Sequence, residues 1–505
     1  MPGLVEAALL LASIFVLRVF WLRKSRAALP PGPKGWPIIG NALNIPKEHA
    51  WNAFAKWGKE YGSDIVATRI FSQPTIILNT TDIATSLLDK RSAIYSDRPT
   101  LVMGGELAGW GTGCPLTSYQ SPRFKELRRM FHGVIGTRGG VAKFYEVTER
   151  QMRKLLKRLL DDPDKVVEHL RWTIGSIVLE MTYGYKIQES NDSLVELVDT
   201  AVEQFSQATA PGAFAVDIIP ALRYVPEWFP GAGWKKLATY WAQCHENMVN
   251  KPYEYAKARV TAGTAPPSFV SNLLEERELS PDREFIVKSA AADMHAAGTD
   301  TTVSTIHTFI LAMNLNPAAQ SLAQSELDAL LGGERLPNLT DRTNLPYVDA
   351  LVKEVFRWGP VGPLGLPHRV MEDDVYEGYH IPKGSVVIPN IWQMLHDPSV
   401  YSNPSTFDPS RFTKAKPERD PRDSCFGFGR RICPGMHLAD QEVYLACANI
   451  LTLFNITKAK DENGKEIVPS GEFTGGVVNY PKPFKCDIKP RSAKAEAMVR
   501  GFETV

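Results

Sequence analysis

The fold of this chain is decided by the run Phe426-Gly427-Phe428-Gly429-Arg430-Arg431-Ile432-Cys433-Pro434-Gly435. Its glycines allow a tight loop, and Gly435 lets the backbone approach a flat ligand closely. Pro434 suits the first turn of the helical pattern that follows, because it lacks an N–H that would be unpaired there. The N–H groups of such a loop and helix start stabilise a thiolate. The pattern therefore favours Cys433, shielded by Phe426, as an axial metal ligand over a nucleophile or a structural cysteine, although His437 one turn on leaves a catalytic base within reach.

This run resembles the heme-binding loop of cytochrome P-450 monooxygenases, whose pattern is Phe-x-x-Gly-x-Arg-x-Cys-x-Gly. Every fixed position is matched, and the resemblance extends from the amino terminus to about residue 489. It implies the cytochrome P-450 fold, mainly α with a minor β-sheet. It also implies heme b (iron protoporphyrin IX) as the cofactor, with Cys433 as the axial ligand of the heme iron and Phe426 and Gly435 as further cofactor-binding residues.

A second motif is Glu354-x-x-Arg357 on a predicted helix. Residues three apart share a helix face and can pair, but most such pairs are solvated surface couples. In the resembled family an arginine from the stretch before the heme loop joins this pair behind the heme. Arg411 stands in that stretch, so the resemblance implies a structural triad of Glu354, Arg357 and Arg411.

The third motif, Ala297-Gly298-Thr299-Asp300-Thr301-Thr302, lies inside an apolar helix predicted over residues 281–316. Glycine and threonine are poor helix formers, so we predict a local distortion. The alternative is a helix-packing glycine beside a threonine that bonds its own backbone. Next to a metal, Asp300 and Thr301 can relay protons to bound oxygen. The resemblance implies this catalytic role for both, because this helix covers the distal side of the heme in the family.

Two buried heme propionates need cationic partners. Arg431 meets that need from the loop itself, and the resemblance implies His368 and Arg128 as further partners. Arg128 belongs to the family's Trp-x-x-x-Arg helix, but Phe124 stands where tryptophan is usual. Phenylalanine keeps the stacking area and loses the indole donor. A solvated basic face is the alternative interpretation of Arg128 and Arg129.

Hydrophobic periodicity predicts a helix-dominated chain with a minor sheet. Helices are predicted over residues 141–161, 164–185, 193–208, 234–262, 281–316, 318–331, 346–358 and 436–454. Strands are predicted over residues 64–71, 75–78, 376–381, 385–388 and 484–488. The sequence lacks a strand–glycine-rich loop–helix fingerprint for dinucleotides, so we expect nicotinamide electrons to arrive through another protein.

The amino terminus predicts a membrane anchor. Residues 4–22 are apolar apart from Glu6, Ser13 and Arg18, and nineteen helical residues span roughly 28 Å. Basic residues follow this run rather than precede it, which favours a single-pass signal anchor in the endoplasmic reticulum membrane with a cytosolic catalytic domain. A buried helix is the alternative. The predicted domains are an anchor helix at 1–23, a basic and proline-rich hinge at 24–45, and a heme-thiolate monooxygenase domain at 46–505.

Composition is that of a globular protein of 505 residues with 44% hydrophobic and 22% charged residues, which excludes global disorder. The 57 basic residues nearly balance the 56 acidic ones, so nothing global predicts nucleic acid as a partner. Six cysteines without Cys-x-x-Cys spacing argue against a disulfide framework or a structural zinc site, and they indicate a reducing compartment.

The predicted substrate is a small lipophilic molecule. The segments that line the cavity in the family are lipophilic here, namely 101–117, 214–234, 359–366 and 473–480. Their only charges are those of Glu106, Asp217, Arg223 and Glu227. Segment 214–234 is broken by three prolines and is expected either to contact membrane lipid as an entry route or to fill the core.

A basic cluster just before Cys433 predicts a docking face for an acidic reductase. Its members are Lys414, Lys416, Arg419, Arg422 and Arg430. Glu418, Asp420 and Asp423 dilute this charge, so a solvated loop is the alternative.

These features predict a membrane-anchored heme-thiolate monooxygenase. It would take electrons from an NADPH-dependent cytochrome P-450 reductase and insert one atom of dioxygen into its substrate. The overall pattern resembles fungal enzymes of secondary metabolism, with terpenoids as the first expectation and aromatic or xenobiotic compounds as the second. A reductase-independent heme-thiolate isomerase or dehydratase and a membrane-tethered binding protein without catalysis remain alternatives.

Overall fold

The computed structural model describes residues 28–188, 192–210, 212–276 and 279–502. The anchor predicted at 1–23 and the first residues of the hinge lie outside this part of the chain. Within it, no helix combines the length and the apolar character needed to cross a bilayer.

Helices dominate the architecture, as the periodicity predicts. The longer helices are α1 (Ala50–Tyr61), α2 (Pro122–Val134), α3 (Tyr145–Asp161), α4 (Val166–Tyr183), α5 (Ser193–Thr209), α6 (Gly233–Thr261), α7 (Phe269–Glu276), α8 (Pro281–Leu315), α9 (Pro317–Leu331), α10 (Pro346–Trp358), α11 (Met436–Leu453) and α12 (Ala493–Arg500). Short helical turns connect them at Thr81–Ala84, Ser92–Tyr95, Arg138–Ala142, Ala215–Ile218, Ile391–Leu395 and Arg422–Cys425.

Seven of the eight predicted helices match an observed helix to within two residues at each end. The exception is 141–161, where a short helix ends at Ala142 and α3 begins at Tyr145. Gly139 and Gly140 occupy the middle of that short helix, and glycine weakens helix continuation. Periodicity did not predict α1, α2, α7 or α12.

The strands form three small sheets. They are β1 (Ile65–Ile70), β2 (Gln73–Leu78), β3 (His368–Arg369), β4 (Asp374–Tyr376), β5 (Tyr379–Ile381), β6 (Val386–Pro389), β7 (Phe454–Lys458) and β8 (Cys486–Pro490). The largest sheet has the order β1-β2-β6-β3, and the β4-β5 and β7-β8 pairs stand alone. The single strand predicted at 376–381 is wrong, because the chain turns at Glu377 and Gly378, whose φ angles are 50° and 82°. Two successive positive φ angles produce a hairpin.

Helix α8 runs through the core and packs against α4, α6, α2 and α11. It remains a continuous α-helix from Pro281 to Leu315, so the distortion predicted at 297–302 is wrong. Two of the three threonine hydroxyls in this stretch bond the backbone carbonyl one turn back, which is compatible with a regular helix. Thr299 donates to the His295 carbonyl at 3.1 Å, and Thr301 donates to the Ala297 carbonyl at 2.7 Å. These bonds satisfy the hydroxyls without opening the helix.

Candidate active site

An accessible window opens in the middle of α8. From Ser289 to Asn314 every residue is buried except Ala297, which is exposed, and Gly298, Asp300 and Thr301, which are half-buried. A helix that crosses the core can expose such a patch only to an interior space. The window therefore marks one wall of a ligand site, at the motif that the sequence singled out.

The Cys433 loop is shaped by its glycines. Gly429 has a φ of 58°, and a Cβ there would lie 2.0 Å from the Leu88 carbonyl oxygen, so no other residue fits. A Cβ on Gly435 would meet no atom closer than the Ile135 methyl at 3.8 Å and the Cys433 sulfur at 3.9 Å. The space beside the sulfur is thus open on this side, as a flat ligand requires. Phe426 packs edge-on against Phe356, with 5.4 Å between the two ring centroids.

Burial raises the pKa of the Cys433 thiol, while the Gly435 N–H and the Arg128 guanidinium act in the opposite direction. The protein alone therefore disfavours the thiolate, and a bound metal cation would stabilise it. Among the described residues, no hydrogen bond joins His437 to Cys433, so the structure supplies no base for a nucleophilic cysteine.

Arg431 belongs to the Cys433 loop, and among the described residues its guanidinium donates only to backbone carbonyls. Its three nitrogens bond the carbonyl oxygens of Ser96 at 2.7 Å, Cys114 at 3.0 Å and Thr117 at 2.7 Å. Phe124 lies against it, with the guanidinium carbon 3.9 Å from the ring centroid. Phenylalanine in place of tryptophan therefore still gives this arginine an aromatic face.

Sequence analysis missed a second buried arginine, Arg98. It donates to the carbonyl oxygens of Pro115 at 3.0 Å, Leu366 at 2.6 Å and Pro367 at 2.8 Å. No sequence pattern separates Asp97-Arg98-Pro99 from a surface turn. Only the burial of Arg98, whose partners lie up to 269 residues away, distinguishes it.

These two guanidiniums form a buried positive site without a bonded carboxylate among the described residues. Burial lowers the pKa of Arg98 to about 9, with the Arg431 charge adding to the effect. Burial also lowers the pKa of Arg431 to about 10. Buried cations call for anionic partners. The chemistry of this site therefore fits a ligand with carboxylate groups, such as the two propionates of heme.

His368 and Arg128 flank the same region. The Nδ1 atom of His368 lies 2.8 Å from the Tyr95 carbonyl oxygen. Burial and the charges of Arg98 and Arg431 lower the pKa of His368 well below its usual value, so its ring is neutral in the protein alone. Arg128 donates to the Ile432 carbonyl at 2.7 Å, which ties α2 to the Cys433 loop. Arg128 is therefore part of the loop environment, whereas the exposed Arg129 pairs with Glu126 on the surface.

Glu354, Arg357 and Arg411 are brought together in full burial. Arg357 binds Glu354 through two bonds of 2.6 and 2.8 Å, and Arg411 Nε lies 3.1 Å from the same carboxylate. Glu418, which the sequence analysis treated only as diluting charge, binds Arg411 at 2.6 Å. The negative charges of Glu354 and Glu418 thus balance the positive charges of Arg357 and Arg411.

Asp300 and Thr301 do not bond each other. The Thr301 hydroxyl donates to Ala297. The Asp300 carboxylate accepts a hydrogen bond from the Tyr480 hydroxyl and lies 3.5 Å from the Arg171 guanidinium. The acid and the alcohol share the accessible window, but each is held by other partners.

Glu442 is a further acid that sequence analysis missed. It is buried inside α11, and Thr302 Oγ1 lies 3.4 Å from its Oε2. Its Oε1 has no hydrogen-bond partner in the part of the chain that the structure describes. Burial raises its pKa to about 8, so it carries a proton at neutral pH. An acidic residue within the apolar helix predicted at 436–454 was the feature of the sequence that could have indicated it.

Known proteins resemble this chain over almost its whole length. The family model for Cytochrome P450 matches residues 30–488. The chain is 48% identical to Cytochrome P450 monooxygenase 208 of Postia placenta, over 98% of this chain and 96% of the relative. It is 46% identical to Cytochrome P450 monooxygenase claR of Ampulloclitocybe clavipes, over 98% and 92% respectively. It is 40% identical to Tryptamine 4-monooxygenase of Psilocybe cyanescens, over 95% and 96%.

Proposed function

This chain belongs to the cytochrome P450 family and is a cytochrome P450 monooxygenase with heme as its cofactor, and from that premise we propose that it oxidises a neutral lipophilic compound of secondary metabolism. The observation that supports this substrate class is that each charged side chain in the lipophilic segments already has a partner within the protein. Arg223 pairs with Glu106, Asp217 accepts from the Met103 N–H at 2.9 Å, and Glu227 accepts from Thr239 at 3.2 Å. These described segments therefore keep no unpaired basic side chain that could bind an anionic substrate.

Residue roles follow from the site. Cys433 would bind the heme iron through its sulfur, with Phe426 and Gly435 beside it. Arg431, Arg98, His368 and Arg128 would hold the propionates. The heme, when bound, supplies the activation of dioxygen.

The remaining site residues act on structure and protons. Glu354, Arg357 and Arg411 would fix the segment before the Cys433 loop, because among the described residues their only ion-pair partners are one another and Glu418. Asp300 and Thr301 border the accessible window. There, Thr301 would hold a proton at its hydroxyl, and Asp300 would replace that proton from solvent.

Terpenoids are the first candidate substrates, and aromatic compounds the second. The name of one relative, Tryptamine 4-monooxygenase, supports the aromatic candidate. Incubation with the reductase, NADPH and a panel of terpenes and aromatic compounds tests the proposal. Oxygenated product with matching NADPH and dioxygen consumption is expected. Product formed without either co-substrate would instead support an isomerase or dehydratase.

Membrane association is part of the proposal. The anchor predicted at 1–23 and the hinge at 24–45 would hold the chain at the endoplasmic reticulum membrane, with the domain at 46–505 in the cytosol. Segment 214–234 supports contact with lipid through its middle part, because three of its five aromatic residues are exposed, while Phe214 and Trp234 pack against the core. Tyr224 is 81% exposed, Trp228 80% and Phe229 52%. Aromatic rings of this kind favour the membrane interface.

Electron delivery would come from an NADPH-dependent reductase docking near Cys433. Lys414 and Lys416 are exposed and make no ion pair among the described residues. In contrast, Arg419 pairs with Asp82 at 2.8 Å, and Arg422 pairs with Asp420 at 2.6 Å. Of the five basic residues, the two lysines and the exposed Arg430 are therefore the ones proposed to contact the reductase.

A further inference from the structure

A second cavity lies outside the site described above. It encloses about 360 Å³ between the start of α1, the end of α10, the helical turn at Ile391–Leu395 and segment 472–482. No residue of the accessible window or of the Cys433 loop lines it. Pockets of about 300–1,000 Å³ are typical of sites for small organic ligands. We call this space the outer cavity.

Aromatic rings dominate the choice of ligand for the outer cavity. Those that line it belong to Trp51, Trp358, Trp392 and Phe473. Trp358 packs edge-on against Phe473, with 5.7 Å between the ring centroids, and its indole N–H donates to the Ser405 carbonyl at 3.1 Å. Trp392 stacks on His396, with 4.4 Å between the centroids. Rings held in place in this way are ready to pack against a flat aromatic ligand.

Asn479 adds a polar group to the same wall. Its backbone is fixed, because its N–H donates to the Val361 carbonyl at 2.8 Å and its carbonyl accepts from the Ser304 hydroxyl at 2.6 Å. Its side chain is different, since the residue is only 2% exposed and its Oδ1 accepts no hydrogen bond from any described residue. A buried amide oxygen without a donor is unfavourable, and a donor on a ligand would satisfy it.

The acidic and the basic side chain at the mouth of the outer cavity bind each other. Lys482 Nζ lies 2.7 Å from a carboxylate oxygen of Glu472, and both side chains are exposed. Neither is free to pair with a charged ligand. An ionic group deeper in the cavity would therefore be buried without a counter-charge, which is costly. The lining favours a neutral ligand.

We propose that the outer cavity is a second ligand site, which binds a neutral aromatic compound that carries a hydroxyl group. The ring lies among the three tryptophans, and the hydroxyl donates to Asn479 Oδ1. Gly359 and Phe473, which line the cavity, belong to the two segments 359–366 and 473–480 that are predicted to line the substrate cavity. The bond from Asn479 to Val361 joins these segments. A bound ligand therefore contacts the wall of the predicted substrate cavity from outside.

Two probes that differ only at the hydroxyl test this site. They are naphthol and its methyl ether, which lacks the donor. The full-length, heme-loaded protein is first saturated with clotrimazole, and the Soret shift reports that the distal side of the heme stays filled. Calorimetric titration should then show one naphthol per protein, bound about five- to ten-fold more tightly than the ether. Absence of saturable naphthol binding would overturn the proposal. Because the titration needs no turnover, its outcome is independent of the proposed function.

Asn479→Leu removes the acceptor and keeps a side chain of similar size. It should abolish the preference for naphthol over the ether, while the ether binds as before. Asn449→Leu is the matched control, because Asn449 is 3% exposed, its Oδ1 also has no partner among the described residues, and it lies on α11 away from the outer cavity. It should keep the full preference. An unchanged preference in Asn479→Leu, or an equal loss in Asn449→Leu, would overturn the proposal.

A brominated naphthol locates the ligand without any substitution, so the test remains decisive if Asn479→Leu does not fold. In crystals of the clotrimazole-filled protein soaked with this probe, the anomalous signal of bromine should lie in the outer cavity beside Trp358 and Trp392. Bromine found only elsewhere in the protein would overturn the proposal.

Discussion

Arg411 shows how far one residue supports the scaffold behind the Cys433 loop. Its side chain is 1% exposed and its charge is shared between Glu354 and Glu418. Arg411→Met would remove one positive charge and leave the negative charges of Glu354 and Glu418 without full compensation in a buried environment. Breaking a buried pair in this way costs about 3–5 kcal/mol.

We therefore expect Arg411→Met to lower the free energy of unfolding by that amount and to reduce heme incorporation. Denaturant unfolding and the heme content per chain measure both effects. The control is Arg500→Met, which removes an exposed pair with Glu496 and should change stability by less than about 1 kcal/mol. Equal effects of the two substitutions would contradict the structural role of the triad.

Glu442 predicts a pH dependence of stability. Its pKa rises from 4.5 to about 8 on folding, because burial disfavours its charge. Between these values the folded state binds more protons than the unfolded state, so this acid makes stability fall as pH rises from about 4.5 to about 8. Glu442→Gln should remove that part of the slope. Urea unfolding midpoints across this pH range test it, and an unchanged slope would contradict the burial of a protonated acid.

At the scale of elements, α8 combines a regular backbone with one accessible window. Its threonines offer a matched pair of variants, because Thr301 and Thr308 both bond the carbonyl one turn back but only Thr301 lies in the window. Thr301→Ala should keep the heme spectrum while lowering product per NADPH about ten-fold or more, since it removes a proton-bearing group from the site.

Thr308→Ala should leave that ratio unchanged. Product and NADPH consumption in the same incubation give the comparison. Full coupling in Thr301→Ala, or equal loss in both variants, would show that Thr301 carries no proton.

Helices and strands could be predicted where a local sequence pattern determines where they begin and end. Pro281, Pro317 and Pro346 each open a helix, and apolar periodicity gives its length, so α8, α9 and α10 follow from the sequence. The hairpin at Glu377 and Gly378 was missed, because a turn with a non-glycine residue at positive φ has a weak signal. The regularity of α8 at 297–302 was missed because tertiary packing along most of a helix overrides the weak preferences of single residues.

Site residues were predictable where a motif names them, as for Cys433 and Arg431. Arg98, Glu418 and Tyr480 could not be found this way, because each acts through partners that only the folded chain brings near. Arg98 meets carbonyls 17 and 269 residues away, and Tyr480 meets Asp300 across 180 residues. Their contacts in the folded chain, rather than sequence spacing, single them out.

At the scale of the whole molecule, electron transfer should depend on surface charge near the Cys433 loop. Reversal of Lys414 and Lys416 to glutamate is expected to raise the KM for the reductase several-fold at low salt, because it removes attraction to an acidic partner. The effect should fade at high salt, where surface charges are screened.

Reversal of Lys460 and Lys465, two exposed lysines in the connection between β7 and β8, serves as the control, because it makes the same change in net charge. Reductase titrations at two ionic strengths make the comparison. An unchanged KM at both would place the docking surface elsewhere.

The central claim is that Cys433 binds the heme iron through its sulfur. The carbon monoxide spectrum of the reduced, heme-loaded protein tests it most directly. A strongly red-shifted Soret band is expected, and Cys433→Ala should abolish that band. An unshifted band in well-folded, heme-loaded protein would show iron held by nitrogen or oxygen and would contradict this account.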